Sequence, residues 1–318
     1  MRKRLFELRN QGGIEMEPRI FPVDDFSDER LRGYRNLKER TLRGESLFVA
    51  EGALVVERLL RSSFDVESVL ITRKDGLENC LALVPDDVPV YFVEEQIAVK
   101  TLVGFEFNRG ILAIGRRQAL PTVEAGFESY FLGEKRRRSD SLYEEASYRR
   151  RAWIVLPDAS KPDNLGLVFR SAAALDAEAV ILGERCCDPF SRRALRVSMG
   201  GVLQMPIYRA KNLLEELHRV RERWRVVFYA TVLDDGAVSS YDLGTSSVSD
   251  SPHVAFVFGN EYTGLTPEII EFCDKRVKIP MRSDVDSLNL GVSVGVFLYE
   301  FNRGNWVNSA NDSVSTGF

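Results

Sequence analysis

Residues 254–265 read VAFVFGNEYTGL, and this stretch decides the fold of the C-terminal half of the chain. The consecutive apolar residues Val254–Phe258 lack the alternation of a strand with one solvated face, so they predict a strand buried on both faces. Two glycines bracket a glutamate directly after it, which is typical of a tight strand-to-helix turn whose backbone meets a ligand closely. The plainer interpretation is a turn with one exposed acid.

Segments of the same kind lie on both sides of this stretch. Predicted strands at 153–156, 179–182, 225–231 and 277–280 alternate with predicted helices at 165–175, 213–224, 267–273 and 288–301. Strands that alternate with helices and are continuously apolar predict an α/β fold, a parallel sheet covered on both faces. No segment matches a GxGxxG fingerprint or a P-loop, which argues against a dinucleotide enzyme or an NTPase.

The chain divides into five predicted parts. Residues 1–25 are polar and predict a flexible N-terminal arm, and 26–117 hold the short strands of a small α/β domain. Residues 118–150 carry basic runs without an apolar period, which indicates a charged linker. The larger α/β domain covers 151–303, and the Asn- and Ser-rich residues 304–318 predict a disordered tail.

Composition argues against several classes of protein. No run of about 20 apolar residues exists, and the basic N-terminus lacks the apolar core of a secretory signal, so we expect a cytoplasmic protein without a membrane span. A short organellar transit segment stays open. The four cysteines fit no zinc spacing or disulfide framework, so we expect reduced thiols and no metal. The two histidines lack neighbours that suggest a catalytic triad.

Positive charge is clustered, although the net charge is −4. Basic groups lie at 135–138, at 149–151 and within 185–196. One such cluster is usually a solvated face, but three that flank one candidate catalytic segment predict contact with a nucleic-acid backbone. The residues assigned to this contact are Arg136, Arg137, Arg150, Arg192 and Arg193.

Polar residues follow the predicted strands, where parallel sheets bind their ligands. Asn164 is explained equally well as a helix N-cap, and Arg170, nearly two turns later, as a surface residue. Ser287 can cap the last helix in the same way. Asn289 is expected to be buried in a largely apolar stretch, where an unpaired amide would cost about 1–3 kcal/mol, so we suspect a role beyond packing.

Taken together, these segments resemble the three sequence motifs of the SpoU (TrmH-like) RNA methyltransferases of the SPOUT superfamily. The resemblance covers about residues 152–302. The matching residues are 164–166 with Arg170, 197–201, 259–261, 279–281 and 287–289. Gly291 departs from the serine of many relatives. A weaker resemblance links 48–52 and 110–113 to the substrate-binding domain of this family, which is similar to ribosomal protein L30e.

The resemblance implies transfer of a methyl group from S-adenosyl-L-methionine (AdoMet) to a ribose 2′-hydroxyl of tRNA or rRNA. It also implies a C-terminal trefoil knot, an exception to the rule that chains avoid knots, and a homodimer with active sites at its interface. The alternatives are a catalytically inactive RNA-binding relative and an α/β enzyme for another nucleotide cofactor. The residues implied for AdoMet are Thr231, Gly259, Ile279 and Leu288. Those implied for catalysis are Arg170, Asn164, Glu261, Ser287 and Asn289.

The role that the family assigns to Arg170 leaves two mechanisms open. Either a dry site lets Arg170 accept the hydroxyl proton transiently, or Arg170 stabilises the alkoxide and positions phosphate while another group takes the proton. Because the pKa of an arginine lies above about 12, the second mechanism fits its chemistry better.

Overall fold

The computed structural model describes residues 20–37, 42–73, 75–94, 102–105, 109–140, 150–244, 253–282 and 287–314. It separates into two compact units, residues 1–117 and 118–318. Within the described ranges, no helix is long and apolar enough to cross a membrane.

The N-terminal unit contains a five-stranded sheet in the order β1-β4-β3-β5-β2. β5 runs antiparallel to β2 and β3, whereas β1 and β3 pair with β4 in parallel. The strands are β1 (Ile20–Pro22), β2 (Leu47–Glu51), β3 (Val66–Ile71), β4 (Val90–Phe92) and β5 (Ile111–Arg116). The helices are α1 (Ala53–Arg61) and α2 (Glu78–Leu81), with 3-10 turns at Glu29–Tyr34 and Leu42–Glu45.

The prediction of a flexible N-terminal arm over residues 1–25 is wrong for the last residues of that range. Ile20–Pro22 form an edge strand, and the backbone nitrogen of Val23 donates to the carbonyl of Phe92 at 2.9 Å. Val23 is buried in the core of this unit. Composition could not reveal this pairing, because an edge strand is held by hydrogen bonds between backbone groups. Those bonds do not depend on the type of side chain. Residues 1–19 lie outside the described part of the chain.

The C-terminal unit contains a seven-stranded sheet in the order β10-β12-β9-β11-β6-β7-β8, with every pairing parallel. The strands are β6 (Arg151–Leu156), β7 (Ala179–Leu182), β8 (Ile207–Arg209), β9 (Val227–Thr231), β10 (Val238–Ser239), β11 (His253–Val257) and β12 (Lys275–Lys278). The helices are α3 (Val123–Asp140), α4 (Pro162–Ala174), α5 (Arg192–Val197), α6 (Leu213–Trp224), α7 (Pro267–Phe272) and α8 (Leu290–Val314). The predicted parallel α/β architecture is confirmed.

Both faces of this sheet are covered, as the apolar run of β11 predicted. Ala255 and Val257 pack into the cluster under α3, α6 and α7. On the opposite face, the ring of Phe256 lies 5.7 Å from that of Phe297 and 5.5 Å from that of Phe301, both on α8. A strand whose successive side chains enter two separate apolar layers has no polar face, and this explains its uninterrupted hydrophobic sequence.

The predicted linker, residues 118–150, is wrong for much of its length. Residues 123–140 form α3, and both Val123 and Phe127 are fully buried. The ring of Phe127 stacks on Trp153 of β6 at 5.1 Å between centroids. The basic run masked a signal in the sequence, because residues 123, 127, 130 and 131 are apolar at helical spacing. Residues 141–149 lie outside the described part of the chain.

The predicted disordered tail, residues 304–318, is wrong as far as Val314. Helix α8 continues to that residue through the Asn- and Ser-rich segment. Its earlier turns are anchored by buried Val294, Phe297, Leu298 and Phe301. A helix that tertiary packing has nucleated can extend through residues of modest propensity, because propagation costs far less than nucleation. Residues 315–318 lie outside the described ranges.

Helix α8 crosses α4 closely at Gly291. A Cβ atom built at Gly291 would overlap Cβ of Leu167 on α4 and would stand 3.0 Å from the carbonyl carbon of that residue. The hydroxyl of Ser171 donates to the carbonyl of Gly291 at 2.9 Å, which holds the two helices at this separation. Gly295, one turn later, has room, because its Cβ would stand 3.6 Å from the Ser171 hydroxyl oxygen.

We expect the same substitution to have opposite effects at these two glycines. Gly291→Ala should lower the free energy of unfolding by about 1–3 kcal/mol, since an extra methyl group must push the α4 backbone away. Gly295→Ala should raise it by about 0.5–1 kcal/mol, because glycine is the weaker helix former. Urea unfolding followed by circular dichroism measures both variants, and equal shifts would contradict the close crossing.

Candidate functional site

The candidate site lies at the carboxyl edge of the C-terminal sheet. Strands β12, β9, β11 and β6 are neighbours and run parallel, so the loops that follow them meet at one edge. These loops and the start of α8 enclose a cavity of about 470 Å³. Its lining residues are Asn164, Thr231–Leu233, Phe258–Glu261, Thr263–Leu265, Ile279, Met281, Ser287–Leu290, Ser293 and Phe297.

The turn after β11 forms one wall of the cavity. Asn260 and Gly264 exchange backbone hydrogen bonds of 3.0 and 2.9 Å, and the Asn260 side chain accepts from the Tyr262 nitrogen at 2.9 Å. Gly264 has a φ of +68°, a conformation that favours glycine. A Cβ at Gly259 would overlap the Gly264 backbone and stand 2.6 Å from the nitrogen of Leu265. The turn is therefore tight and rigid, and it requires glycine at position 259.

A chain of hydrogen bonds joins three distant segments at this wall. The amide nitrogen of Asn164 donates to Oε1 of Glu261 at 2.6 Å. The amide nitrogen of Asn289 donates to the side-chain oxygen of Asn164 at 2.9 Å. The oxygen of Asn289 in turn accepts from the backbone nitrogen of Gly291 at 2.9 Å. Each amide is thereby oriented, and the chain leads to the carboxylate of Glu261.

The second carboxylate oxygen of Glu261, Oε2, is buried and has no hydrogen-bond partner among the described residues. An ionised carboxylate can only accept hydrogen bonds, and a buried acceptor without a donor costs about 1–3 kcal/mol. A ligand that supplies a hydrogen-bond donor or a positive charge would offset this cost. Among the described residues that line the cavity, Glu261 is thus the one whose buried side-chain oxygen lacks a hydrogen-bond partner.

The helix-cap alternatives for Asn164 and Ser287 are wrong. Helix α4 begins at Pro162 with Lys161 at its N-cap, so Asn164 already lies inside the helix. Helix α8 begins at Leu290, and its leading backbone nitrogens are met by Asn289 and not by Ser287. Asn289 is also exposed, although its apolar neighbours predicted burial. Its amide still has partners on both sides, as the energetic argument required.

The residues implied for AdoMet, namely Thr231, Gly259, Ile279 and Leu288, all line the cavity. The hydroxyl of Thr231 donates to the carbonyl of Val257 at 3.0 Å and so joins the ends of β9 and β11. Sequence reasoning missed other lining residues. Leu290, Ser293 and Phe297 follow at helical spacing after Asn289, so the period of α8 could have found them. Phe258, Thr263 and Leu265 lie close to the motif 259–261, and Met281 belongs to the motif 279–281 but had no role assigned to it.

Arg170 is the one residue implied for catalysis that does not line the cavity. It is exposed, and no hydrogen bond or salt bridge joins it to any residue that the structure describes. Six residues along a helix correspond to a rotation of about 240° and a rise of about 9 Å, so Arg170 faces away from the side of Asn164. Within a single copy of the chain, Arg170 therefore lies apart from the other four residues implied for catalysis.

The five arginines that were assigned to nucleic-acid binding lie in different structural environments. The guanidinium of Arg150 lies 4.1 Å from the ring centroid of Phe301 and donates to the Leu243 carbonyl, and burial lowers its pKa. Arg150 therefore contributes to packing in the C-terminal unit. Arg192 and Arg193 begin α5, where Arg193 pairs with Asp163 at 2.6 Å. Arg136 and Arg137 belong to α3, but their side chains lie outside the described part of the chain.

Comparison with known proteins gives a consistent family. Residues 151–299 match the model of the SpoU rRNA Methylase family. An uncharacterized tRNA/rRNA methyltransferase of Mycobacterium bovis is 32% identical over 291 residues, which cover 88% of this chain and 91% of that protein. A 23S rRNA (guanosine-2′-O-)-methyltransferase of Acinetobacter baylyi is 34% identical over 149 residues, 46% of this chain and 57% of that protein.

A solved structure has a similar fold over both units. The AdoMet-bound rRNA methyltransferase from Sinorhizobium meliloti matches with a TM-score of 0.68 at 25% identity, and the match covers 89% of this chain and 98% of that chain.

Proposed function

Because the chain belongs to the SpoU family of the SPOUT superfamily of RNA methyltransferases, we propose that it methylates a ribose 2′-hydroxyl of tRNA or rRNA with AdoMet as donor. One observation carries this proposal: residues from three separate family motifs line a single cavity and are joined by hydrogen bonds. The name of the Acinetobacter relative, a guanosine-2′-O-methyltransferase, supports the ribose hydroxyl as acceptor.

The residues present fit AdoMet. A cavity of about 470 Å³ lies in the range of small-ligand pockets, about 300–1,000 Å³. Gly259 lets the turn after β11 close against the backbone of Gly264 and Leu265, and Phe258, Leu265 and Ile279 offer apolar surface for a flat base. The buried Oε2 of Glu261 offers an acceptor and a negative charge. When bound, AdoMet supplies a methyl group that is already activated by a positively charged sulfonium.

The protein then has to align the acceptor hydroxyl and remove one proton. Asn164 holds the carboxylate of Glu261 from one side, and Asn289 holds Asn164, so the free oxygen of Glu261 is kept in place. We propose that this oxygen receives the hydroxyl proton. Arg170 would stabilise the alkoxide and position phosphate, which suits a guanidinium that stays charged at neutral pH.

Arg170 could serve this role only if a second copy of the chain brings it to the site. The family resemblance implies a homodimer with active sites at its interface, and the exposure of Arg170 outside its own cavity supports that arrangement. On the same resemblance we propose that the C-terminal unit is knotted and that the N-terminal unit is an L30e-like domain that selects the RNA. Arg192 and Arg193 would bind the phosphate backbone of that RNA.

Methyl-labelled AdoMet incubated with the purified protein and total RNA tests the reaction. We expect label in RNA that resists alkali, because a methylated 2′-hydroxyl cannot attack the neighbouring phosphate. Arg170→Ala should lose this label by about 100-fold or more, the usual contribution of a group that stabilises charge at the reacting atom.

The other outcomes separate the alternatives. AdoMet binding without label in any RNA would favour the inactive RNA-binding relative. An absence of AdoMet binding would contradict the proposed donor site. Full activity of Arg170→Ala would leave the reaction intact and remove Arg170 from it.

A further inference from the structure

The mouth of the cavity carries an aromatic ring that packing does not explain. Tyr262 is 73% exposed, although its neighbours Glu261 and Thr263 both line the cavity. The hydrogen bond from its backbone nitrogen to the Asn260 side chain fixes it on the rigid turn after β11. A single exposed ring is common on protein surfaces, but this ring is held by a tight turn between two residues that line the cavity.

Lys161 stands over one face of this ring. Its ammonium nitrogen lies 4.4 Å from the ring centroid, which is a cation–π distance. A hydrogen bond with Tyr262 raises the pKa of Lys161, and the charge of Glu261 adds to this effect, so the ammonium group stays charged at neutral pH. Lys161 also occupies the N-cap position of α4, the helix that carries Asn164. The ammonium group of Lys161 therefore covers one face of the ring, and the large exposure of Tyr262 leaves the other face open.

This pair has the chemistry that an unpaired nucleotide needs. Proteins recognise splayed RNA bases by stacking them on aromatic side chains, and cations neutralise the adjoining phosphates. A ribose hydroxyl that enters a cavity must leave its helical stack, so the bases beside it lose their usual neighbours. At the mouth of the cavity, the open ring can stack on such a base, and the ammonium group can neutralise the adjoining phosphate.

We propose that Tyr262 and Lys161 form a nucleobase subsite at the entrance to the cavity. An unpaired base next to the reacting ribose stacks on the open face of Tyr262, and Lys161 pairs with a phosphate of the same strand. The inference rests on the proposed RNA methyltransferase function and adds to it a positioning site for single-stranded RNA. According to this proposal, Tyr262 contributes to RNA binding, and AdoMet is bound by the residues inside the cavity.

Binding of fluorescein-labelled oligouridine, compared with the same oligomer carrying abasic residues, tests the subsite by fluorescence anisotropy. The wild-type protein should bind the oligomer with bases about 5- to 100-fold more tightly than the abasic oligomer, as stacking on one aromatic ring provides. Tyr262→Ala should lose this preference, whereas Tyr262→Phe should keep it. In the methylation assay, Tyr262→Ala should raise KM for total RNA with little change in kcat or in the Kd for AdoMet.

Tyr241→Ala is the matched control, because Tyr241 is also a largely exposed tyrosine, at 61%, but lies outside the cavity. It should behave as wild type. Wild-type protein that binds both oligomers equally, or binds neither, would overturn the subsite, as would an unchanged base preference in Tyr262→Ala. If Tyr262→Ala instead weakens self-association in sedimentation experiments and keeps the base preference, the ring belongs to a protein interface.

The two proposals fail in different ways. If wild-type protein transfers no label to total RNA, the proposed function fails whatever the oligomers show. If wild type transfers label and Tyr262→Ala has the same KM for RNA, the function stands and the subsite is wrong.

Discussion

Glu261→Gln is expected to reduce the rate of methyl transfer by about 100- to 10,000-fold, the range that general acid–base groups contribute. The substitution keeps the size of the side chain, and the new amide oxygen can still accept the hydrogen bond from Asn164. However, the amide must then present an NH₂ group at the position of the buried Oε2 of Glu261, which has no hydrogen-bond partner among the described residues. A donor at this position cannot take a proton from the acceptor hydroxyl.

Single-turnover methylation with labelled AdoMet measures this effect, and equilibrium dialysis measures the Kd for AdoMet separately. Glu271→Gln is a suitable control, because Glu271 is an exposed acid on α7 that does not line the cavity. A rate within a few-fold of wild type would exclude Glu261 as the proton acceptor. A fall that is matched by an equal loss of AdoMet affinity would assign Glu261 to donor binding.

Gly259→Ala is expected to weaken AdoMet binding by about 10- to 100-fold. The added methyl group cannot fit against the backbone of Gly264 and Leu265, so the turn has to open. Forced overpacking of this kind costs about 1–3 kcal/mol, and each 1.4 kcal/mol is a factor of ten in affinity. The turn also carries Glu261, so its displacement changes the polar wall of the cavity.

Calorimetric titration with AdoMet and a thermal melt measure the two consequences of Gly259→Ala. Gly236→Ala is the control, because Gly236 lies in a loop at the same edge and its Cβ would stand 3.5 Å from a side-chain oxygen of Asp234, an ordinary contact. It should leave both Tm and affinity unchanged. Wild-type AdoMet affinity in Gly259→Ala would show that this turn does not bind the donor.

The order and type of the C-terminal elements could be predicted because each strand is a continuous apolar run. A strand that contributes to two buried layers has to be apolar throughout, so the sequence of β11 already indicates a parallel sheet with two covered faces. The predictions failed where composition competes with packing. Helix α3 was hidden by its basic end, and the C-terminal part of α8 by its polar composition.

Sequence alone determined which loops carry the candidate site. The quoted motifs follow β6, β11 and β12, and the carboxyl ends of parallel strands share one edge, while the order of the sheet makes these strands and β9 neighbours. The motif residues named about half of the cavity lining in advance, from Asn164 to Asn289.

Only the tertiary structure decided which partners these residues have and which way they face. The hydrogen bonds from Asn289 to Asn164 and from Asn164 to Glu261 span 125 and 97 residues, and no local pattern specifies such contacts. Arg170 shares a helix with Asn164, yet its rotation about the helix axis turns it away from the cavity. Periodicity shows which residues share one face of a helix. Which neighbours that face contacts is decided only by the packing of the helix against the sheet.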